Sequence, residues 1–298
     1  MFGVYFGKYL EDKGILTNEQ YNAIISDSKN AKVKLGLLAV ESGFMTEEQA
    51  DEVNMLQQMQ DRRFGDIAVE KGYLSDEQVG TLLKKQGDEY LLFVQALVEK
   101  EILTLEGIQK ELNCYKKSER FTALDLEAIK SGDIDKIVPV FTKDSDVSPM
   151  VKDYIALVAR NHVRFINSHF RIEKVEKLNE YTGAFVAAQE LDGDYRLFTG
   201  FCGDGAGIKE IAEAFAKEEF ETVDMDVLDA ACEFLNCNNG LYATKLSHED
   251  VELDMLPPVM KDSTTTIRTE GNMYRVPFYI KDKKVDLIVC IESKWSLD

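Results

Sequence analysis

The chain has 298 residues and a formal net charge of −19 at pH 7. This length suggests two domains, and a hydrophobic content of 45% is ample for packed cores. The acidity argues against a nucleic acid polymer or an anionic membrane surface as partner, because both are bound by basic patches.

The sequence carries no signal for secretion or membrane insertion. Its start lacks a basic region followed by an apolar run, and no apolar stretch approaches ~20 residues. The five cysteines are scattered, and the single Cys-x4-Cys spacing, Cys232 to Cys237, lacks the second ligand pair of a zinc site. We therefore expect a cytoplasmic protein with reduced core cysteines and no metal site.

The N-terminal part repeats a pattern with a step of 29 residues. Each copy has an apolar residue before a first glycine, then a second glycine, two apolar residues and a Thr or Ser. The glycine pairs are Gly7 and Gly14, Gly36 and Gly43, and Gly65 and Gly72. A fourth copy from Phe93 to Thr104 keeps the step and lacks both glycines.

Each copy predicts a helical hairpin. A short helix follows the first glycine, and the second glycine suits the left-handed residue that ends a helix. The Thr or Ser then begins a longer helix, and a Gln three residues later completes a capping box. These pairs are Thr17 with Gln20, Thr46 with Gln49, and Ser75 with Gln78. The sequence thus predicts an all-α stack of hairpins over residues 1–117.

Two of the copies resemble the MshEN domain, which is also found at the N-terminus of type II secretion ATPases. Lys34-Leu35-Gly36 runs to Gln57, and after five residues Arg63-Phe64-Gly65 runs to Gln86. In some members of that family, such a pair of motifs binds cyclic di-GMP. The resemblance implies eight possible nucleotide contacts: Lys34, Leu35, Gly36, Gln57, Arg63, Phe64, Gly65 and Gln86.

Some residues depart from the MshEN pattern. Lys34 stands where the pattern has an arginine, whose planar fork can stack on and bracket a guanine as lysine cannot. Ala39 and Ala68 replace larger apolar residues. The alternative interpretation is a helical adaptor without a nucleotide, in which the glycines only end helices.

Residues 118–146 read as a joining segment, with the boundary near Asp144. A short helix is compatible with 121–129, a turn with 131–135, and 137–141 is apolar and β-branched. The polar stretch that follows ends at Pro149.

Residues 147–298 predict a second, α+β domain. Pro149 suits the first turn of a helix. Strands are expected at 170–175, 183–189, 195–202, 264–269, 273–280 and 285–291, with a hairpin at Asp192-Gly193. The glycine-rich stretch 203–207 lacks the lysine and spacing of a phosphate loop, so we interpret it as a turn into a helix over 208–218.

Residues 226–247 read as one long, mostly apolar helix with a thin polar line. Since a helix turns about 100° per residue, Asp229, Glu233, Asn236 and Gly240 lie close together on one side. One interpretation is a solvent-facing stripe. The other is a site, in which a carboxylate and a carboxamide stand one turn apart.

These residues resemble the active-site helix of CheX, in the CheC/CheX/FliY group of chemotaxis phosphatases. The matching features are Glu233-x-x-Asn236 with Gly240 a turn later, Asp224 and Asp226 before them, and Pro257-Pro258-Val259 after them. The resemblance extends over about the last half of the chain. It implies helices on a strongly curved sheet, frequent dimerisation, and removal of phosphate from the aspartyl phosphate of a CheY-like receiver.

The resemblance also implies roles for single residues. Glu233 would pair with a lysine of the receiver, and Asn236 would hold a water in line with the phosphorus, while Asp229 and Gly240 would form the rim. Mg²⁺ would come with the receiver, so the chain would need no cofactor of its own. The alternative function is a non-catalytic adaptor that docks on a receiver or binds cyclic di-GMP.

Overall fold

The computed structural model describes residues 1–27, 33–60, 63–84, 88–292 and 294–298. They form two compact units, Met1–Gly132 and Asp133–Asp298. The first unit is helical and the second combines helices with a nine-stranded sheet. The predicted fold class, an all-α domain followed by an α+β domain, is therefore confirmed.

The units divide inside the segment 118–146, and not near Asp144. Gly132 ends one helix with a left-handed φ of 67°, and the Asp133 side chain caps the next by accepting from the Asp135 amide. The polar stretch before Pro149 suggests a linker, but it is a short connection between two packed helices, in which Val147 is buried.

The first unit consists of nine helices within its described residues. They are α1 Phe2–Asp12, α2 Asn18–Asp27, α3 Leu35–Glu41, α4 Glu47–Gln60, α5 Phe64–Glu70, α6 Asp76–Lys84, α7 Glu89–Glu99, α8 Leu105–Ser118 and α9 Ala123–Ser131. Helices α1 to α8 form the four predicted hairpins.

The local signals of the repeat are realised in the three copies that carry them. Gly14, Gly43 and Gly72 end their helices with φ values of 71°, 69° and 73°. In the fourth copy Glu101 takes the same left-handed conformation, with φ 56°. The three Thr/Ser–Gln capping boxes form both reciprocal hydrogen bonds, for example Thr46 with Gln49 at 2.9 and 3.3 Å.

In the three copies that have glycines, the first glycine lies within its helix, so the predicted start after that glycine is wrong. Packing explains these glycines better than capping does. A Cβ on Gly7 would stand 2.6 Å from the Tyr21 ring, and one on Gly36 would stand 3.1 Å from the Phe64 ring. A Cβ contact below 3.0 Å is essentially never observed, and one of 3.1 Å is unusually short. The absent side chains therefore let neighbouring helices approach closely.

The second unit contains four α-helices and nine strands within its described residues. The helices are α10 Ile134–Thr142, α11 Pro149–Asn161 with a π-helical turn His162–Ile166, α12 Ala206–Ala216 and α13 Met225–Ser247. The strands are β1 Phe170–Ile172, β2 Glu176–Gly183, β3 Phe185–Gly193, β4 Leu197–Gly203, β5 Leu253–Met255, β6 Val259–Lys261, β7 Thr265–Ile280, β8 Lys283–Ile291 and β9 Trp295–Leu297.

The sheet is antiparallel and is organised around β7. Its order is β1-β7-β8-β4-β3-β5, with β2 and β9 also on β7 and β6 also on β3. The two strands predicted at 264–269 and 273–280 are one continuous strand of 16 residues. Strands β2, β5, β6 and β9 escape prediction because they are short or largely exposed and owe their conformation to pairing with distant residues.

The central strands β3, β4 and β8 are buried on both faces of the sheet. Helices α12 and α13 pack on one face, where Phe201 stacks on Phe234 at a ring distance of 5.9 Å. The opposite face carries a second apolar cluster that includes Phe198, Cys202 and Ile288 and is covered partly by Trp295. Thr199 and Gln189 are two buried polar residues within this sheet, and they matter for the site described next.

Candidate functional site

The candidate site lies along α13, a helix of 23 residues. It begins at Asp224, whose side chain accepts hydrogen bonds from the amides of Asp226 and Val227. One side of the helix is fully buried, as Leu228, Leu235 and Tyr242 show. The opposite side is accessible and presents the predicted polar line.

The structure brings the four residues of this line to one surface. Asp229 and Glu233 are exposed, and Asn236 and Gly240 are half-buried. Glu233 and Asn236 are separated by three positions of continuous helix, so they are neighbours on its surface. A rigid helix thus presents a carboxylate beside a carboxamide.

Two residues of α13 are placed differently from their prediction. Leu241 is 50% exposed and Cys237 is exposed, although both belong to the apolar side expected to be buried. Partial burial and the neighbouring Glu233 carboxylate raise the pKa of Cys237. A thiol that keeps its proton is a poor nucleophile, so Cys237, which lies beside the polar line, is not an activated nucleophile.

A chain of buried hydrogen bonds holds the Asn236 carboxamide from behind. Gln189 of β3 donates from Nε2 to Asn236 Oδ1 at 3.0 Å and to the Leu256 carbonyl at 2.9 Å. Gln189 Oε1 accepts from Asn239 Nδ2 at 2.9 Å. Asn239 Oδ1 in turn accepts from the Tyr154 hydroxyl of α11 at 2.7 Å. The chain links a buried tyrosine to the accessible amide.

The sequence analysis did not predict the buried residues of this hydrogen-bond chain. Gln189 is 3% exposed and Asn239 is fully buried. Asn238 is also fully buried and accepts from Asn161 Nδ2 at 2.9 Å. One signal in the sequence could have found these residues. Asn and Gln stand at positions of the helix and the strand where the apolar pattern predicts burial, and buried amides in proteins are almost always hydrogen-bonded.

Exposed apolar residues lie beside the polar line. Met255 and Leu256 are 43% and 39% exposed, and Pro257 and Pro258 are exposed as well. A Cβ added to Gly240 would stand 3.6 Å from Met255 Cε, which is an ordinary contact. Packing therefore does not require glycine at position 240, and its absent side chain leaves room beside Asn236.

The arrangement can position groups and cannot itself attack. Glu233 supplies a negative charge, and Asn236 supplies a fixed hydrogen-bonding amide, while the buried Cys232 thiol has its pKa raised to about 12 by burial and by Asp229. Within the described residues, no group of three or more His, Cys, Asp or Glu side chains could hold a metal ion. Nor does any helix there combine the length and hydrophobicity that a membrane span needs.

The first unit contains a second candidate site. A cleft of about 570 Å³ is lined by Lys34, Leu35, Gly36, Asn54, Gln57, Arg63 and Phe64. Six of the eight residues implied by the MshEN resemblance thus meet at one surface. Gly65 is buried against Val79 and does not line the cleft, and Gln86 lies outside the described residues.

The charges around this cleft are mixed. Lys34 Nζ pairs with Glu99 at 2.6 Å, and its backbone amide donates to Gln95 at 2.6 Å. Both partners belong to α7, the helix of the fourth repeat. Arg63 is exposed and caps α5 in extended conformation. An anionic ligand could pair with Arg63 directly. To pair with Lys34, it would have to break the Lys34–Glu99 ion pair or share the ammonium group with Glu99.

A comparison with known protein families gives a match that covers α13 and the strands around it. Residues 185–281 match the family model "Chemotaxis phosphatase CheX". The match runs from the start of β3 to the end of β7 and includes Glu233, Asn236 and Gln189. The matched residues all lie in the second unit and are about a third of the whole chain.

Solved structures with similar chains also come from this group. A CheC-like superfamily protein from Shewanella sp. PV-4 has 19% identity, with 48% of this chain and 97% of the other covered and a TM-score of 0.42. A chemotaxis protein CheX from Desulfovibrio desulfuricans has 16% identity, with 49% of this chain and 100% of the other covered and a TM-score of 0.42. A CheX-CheY-BeF3-Mg²⁺ complex from Borrelia burgdorferi has 16% identity, with 48% of this chain and 97% of the other covered and a TM-score of 0.36. No curated protein gives a significant match.

Proposed function

We propose that the second unit contains a CheX domain and that this domain hydrolyses the aspartyl phosphate of a CheY-like receiver. Asn236 and Glu233 are its functional residues. One observation carries the proposal. Within the residues that match the phosphatase family, Asn236 is accessible beside Glu233, and its carboxamide is fixed by Gln189.

The geometry defines how Asn236 would act. Its Oδ1 already accepts from Gln189, so its Nδ2 is the part of the amide available to a ligand. An N–H that donates to one lone pair of a water leaves the other lone pair for the phosphorus. The water then attacks phosphorus in line, the bond between phosphorus and the aspartyl oxygen breaks, and the aspartate carboxylate is regenerated. Both protons of the water stay with the phosphate, which leaves as the product. Phosphoryl transfer gains mostly from such positioning and from electrostatics.

Glu233 would act in docking. Its exposed carboxylate would pair with the receiver lysine that touches the phosphoryl group, and Asp229 would add negative charge at the rim. The exposed apolar residues Met255 and Leu256 would cover the contact. The receiver would bring its own Mg²⁺, so this chain contributes position and charge and no metal.

The test is a steady-state assay of phosphate release from a phosphorylated CheY-type receiver. Glu233→Gln should raise KM by about tenfold with a smaller effect on kcat, since it removes a docking charge. Glu249→Gln, an exposed carboxylate beyond the other end of the same helix, is the matched control and should behave as wild type. Equal KM values for Glu233→Gln and Glu249→Gln would contradict the docking role.

The cleft in the first unit supports a second candidate function, an adaptor that binds cyclic di-GMP. Arg63 faces it with Gln57 and Asn54, a set that suits a phosphate and a base edge. We expect binding with a Kd of tens of micromolar or tighter, and Arg63→Ala should weaken it at least about tenfold. Lys110→Ala on α8 is the charge-matched control. If wild type does not bind cyclic di-GMP at ligand concentrations on the order of tens of micromolar, this second function is rejected.

Two further proposals follow from the same interpretation. If the first unit regulates the second, cyclic di-GMP should change the rate of phosphate release, because coupling between sites must appear as a difference between liganded and free protein. If the CheX domain forms a homodimer, sedimentation equilibrium should give twice the monomer mass of 33.8 kDa. An unchanged rate or a monomer mass would reject the corresponding proposal.

A further inference from the structure

A backbone carbonyl determines which way the Asn236 amide faces. The carbonyl of Leu256 can only accept, so the end of Gln189 that contacts it at 2.9 Å must be the Nε2 amide. The same Nε2 contacts Asn236 at 3.0 Å, and a donor there requires Asn236 to present Oδ1. The oxygen and nitrogen of both amides are therefore assigned without ambiguity.

Both N–H groups and the amide oxygen of Gln189 form hydrogen bonds. Its two N–H groups go to Asn236 and Leu256, and its Oε1 accepts from Asn239. The second N–H of the Asn239 amide donates to Thr199 Oγ1 at 3.1 Å. Because no member can turn without breaking a buried hydrogen bond, the network resists rotation of the Gln189 amide.

We propose that Gln189 is a positioning residue that holds the Asn236 carboxamide with Nδ2 directed to the reacting water. This inference rests on the proposed phosphatase function. Gln189 is 3% exposed and touches no reactant. It acts through Asn236, and it keeps the amide in one of its two possible orientations before the receiver arrives.

The first experiment is a double-mutant cycle on phosphate release. Gln189→Met keeps the side-chain length and removes the donors, and it should lower kcat about tenfold with KM within about twofold. In an Asn236→Ala background the same substitution should have no further effect on kcat. Equal loss in both backgrounds, or a rise in KM alone, would overturn the proposal and assign Gln189 to packing or to holding Leu256.

A second variant separates positioning from packing. Gln189→Glu is nearly isosteric, but its carboxylate cannot donate to Asn236, while its neutral acid form can. The kcat ratio of this variant to wild type should therefore rise as pH falls through the pKa of the buried carboxyl, which burial raises. Asn161→Leu breaks the neighbouring Asn161–Asn238 bond and is the structural control, with kcat close to wild type. A flat ratio would contradict the proposal.

A third measurement does not depend on phosphatase activity. In the full-length chain labelled with ¹⁵N, the side-chain amide signals of Asn236 should shift in Gln189→Met and stay in place in Asn161→Leu. If wild type does not accelerate phosphate release but this shift is seen, the phosphatase function fails and the orientation of Asn236 stands. An unchanged Asn236 signal would overturn the orientation itself.

Discussion

His162 predicts that the second unit loses stability in mild acid. The side chain is fully buried at the start of the π-helical turn, and its ring stacks on Phe170 at 4.6 Å. Neither ring nitrogen has a hydrogen-bond partner among the described residues. Burial without a partner lowers the pKa of His162 from 6.5 to about 3. The folded protein therefore holds this ring neutral.

The sign and size of the effect follow from proton linkage. A histidine whose folded pKa is depressed leaves stability intact above the unfolded pKa of 6.5. Below that value His162 binds a proton in the unfolded chain but stays neutral in the folded chain, so the free energy of unfolding falls as pH falls. Between pH 7.5 and pH 5 this single group should cost about 2 kcal/mol, at up to 1.36 kcal/mol per pH unit.

The assay is urea unfolding followed by tryptophan fluorescence. Trp295 is the only tryptophan of the chain and packs on Phe198 at a ring distance of 4.4 Å, so it reports on the second unit. His162→Leu removes the titrating group at similar volume, and His162→Gln removes it while keeping a polar side chain. Relative to wild type, both variants should gain about 2 kcal/mol between pH 7.5 and pH 5.

The comparison between variants cancels the other titrating groups, which are common to all three proteins. Their stabilities at pH 7.5 are allowed to differ, since Leu and Gln pack differently. A stability difference from wild type that is the same at both pH values, in both variants, would refute the argument that His162 is kept neutral by burial.

Two further predictions concern backbone conformation and close packing. Glu101→Gly should stabilise the first unit by about 1 kcal/mol, and Gly72→Ala should destabilise it by about 1–2 kcal/mol, because both positions have left-handed φ angles that favour glycine. In thermal unfolding followed by circular dichroism, the midpoint temperature should rise for Glu101→Gly and fall for Gly72→Ala. Midpoint shifts of the same sign in both variants would contradict this. Gly200→Ala should cost about 1–3 kcal/mol, because its Cβ would stand 2.8 Å from Ala188 Cβ on the neighbouring strand; an unchanged midpoint in urea would contradict it.

The repeat was predictable because its determinants are local. A left-handed glycine, a Thr or Ser cap and a Gln three residues later act within a single hairpin, and the structure realises all three. The start of each first helix was not predictable in this way. It depends on glycines that admit a neighbouring helix, as Gly36 admits the ring of Phe64.

The site was predictable only where it reaches the surface. Helical spacing places Glu233 and Asn236 together, and that arrangement needs only α13. The support of Asn236 depends on Gln189 and Tyr154, which lie 47 and 82 positions earlier in the sequence and meet α13 only after the sheet and α11 have packed. No local pattern in the sequence encodes such a hydrogen-bond chain.

The measurement that tests the central claim most directly is phosphate release from a saturating phosphorylated CheY-type receiver, with wild type beside Asn236→Ala. Gln189 keeps the Leu256 carbonyl as an acceptor in this variant, so the fold should be retained. We expect a kcat about a hundredfold lower with KM nearly unchanged, since one positioning amide is lost. Fast release by wild type and by Asn236→Ala alike would contradict the assigned site, and no acceleration by wild type with several receivers would contradict the phosphatase function.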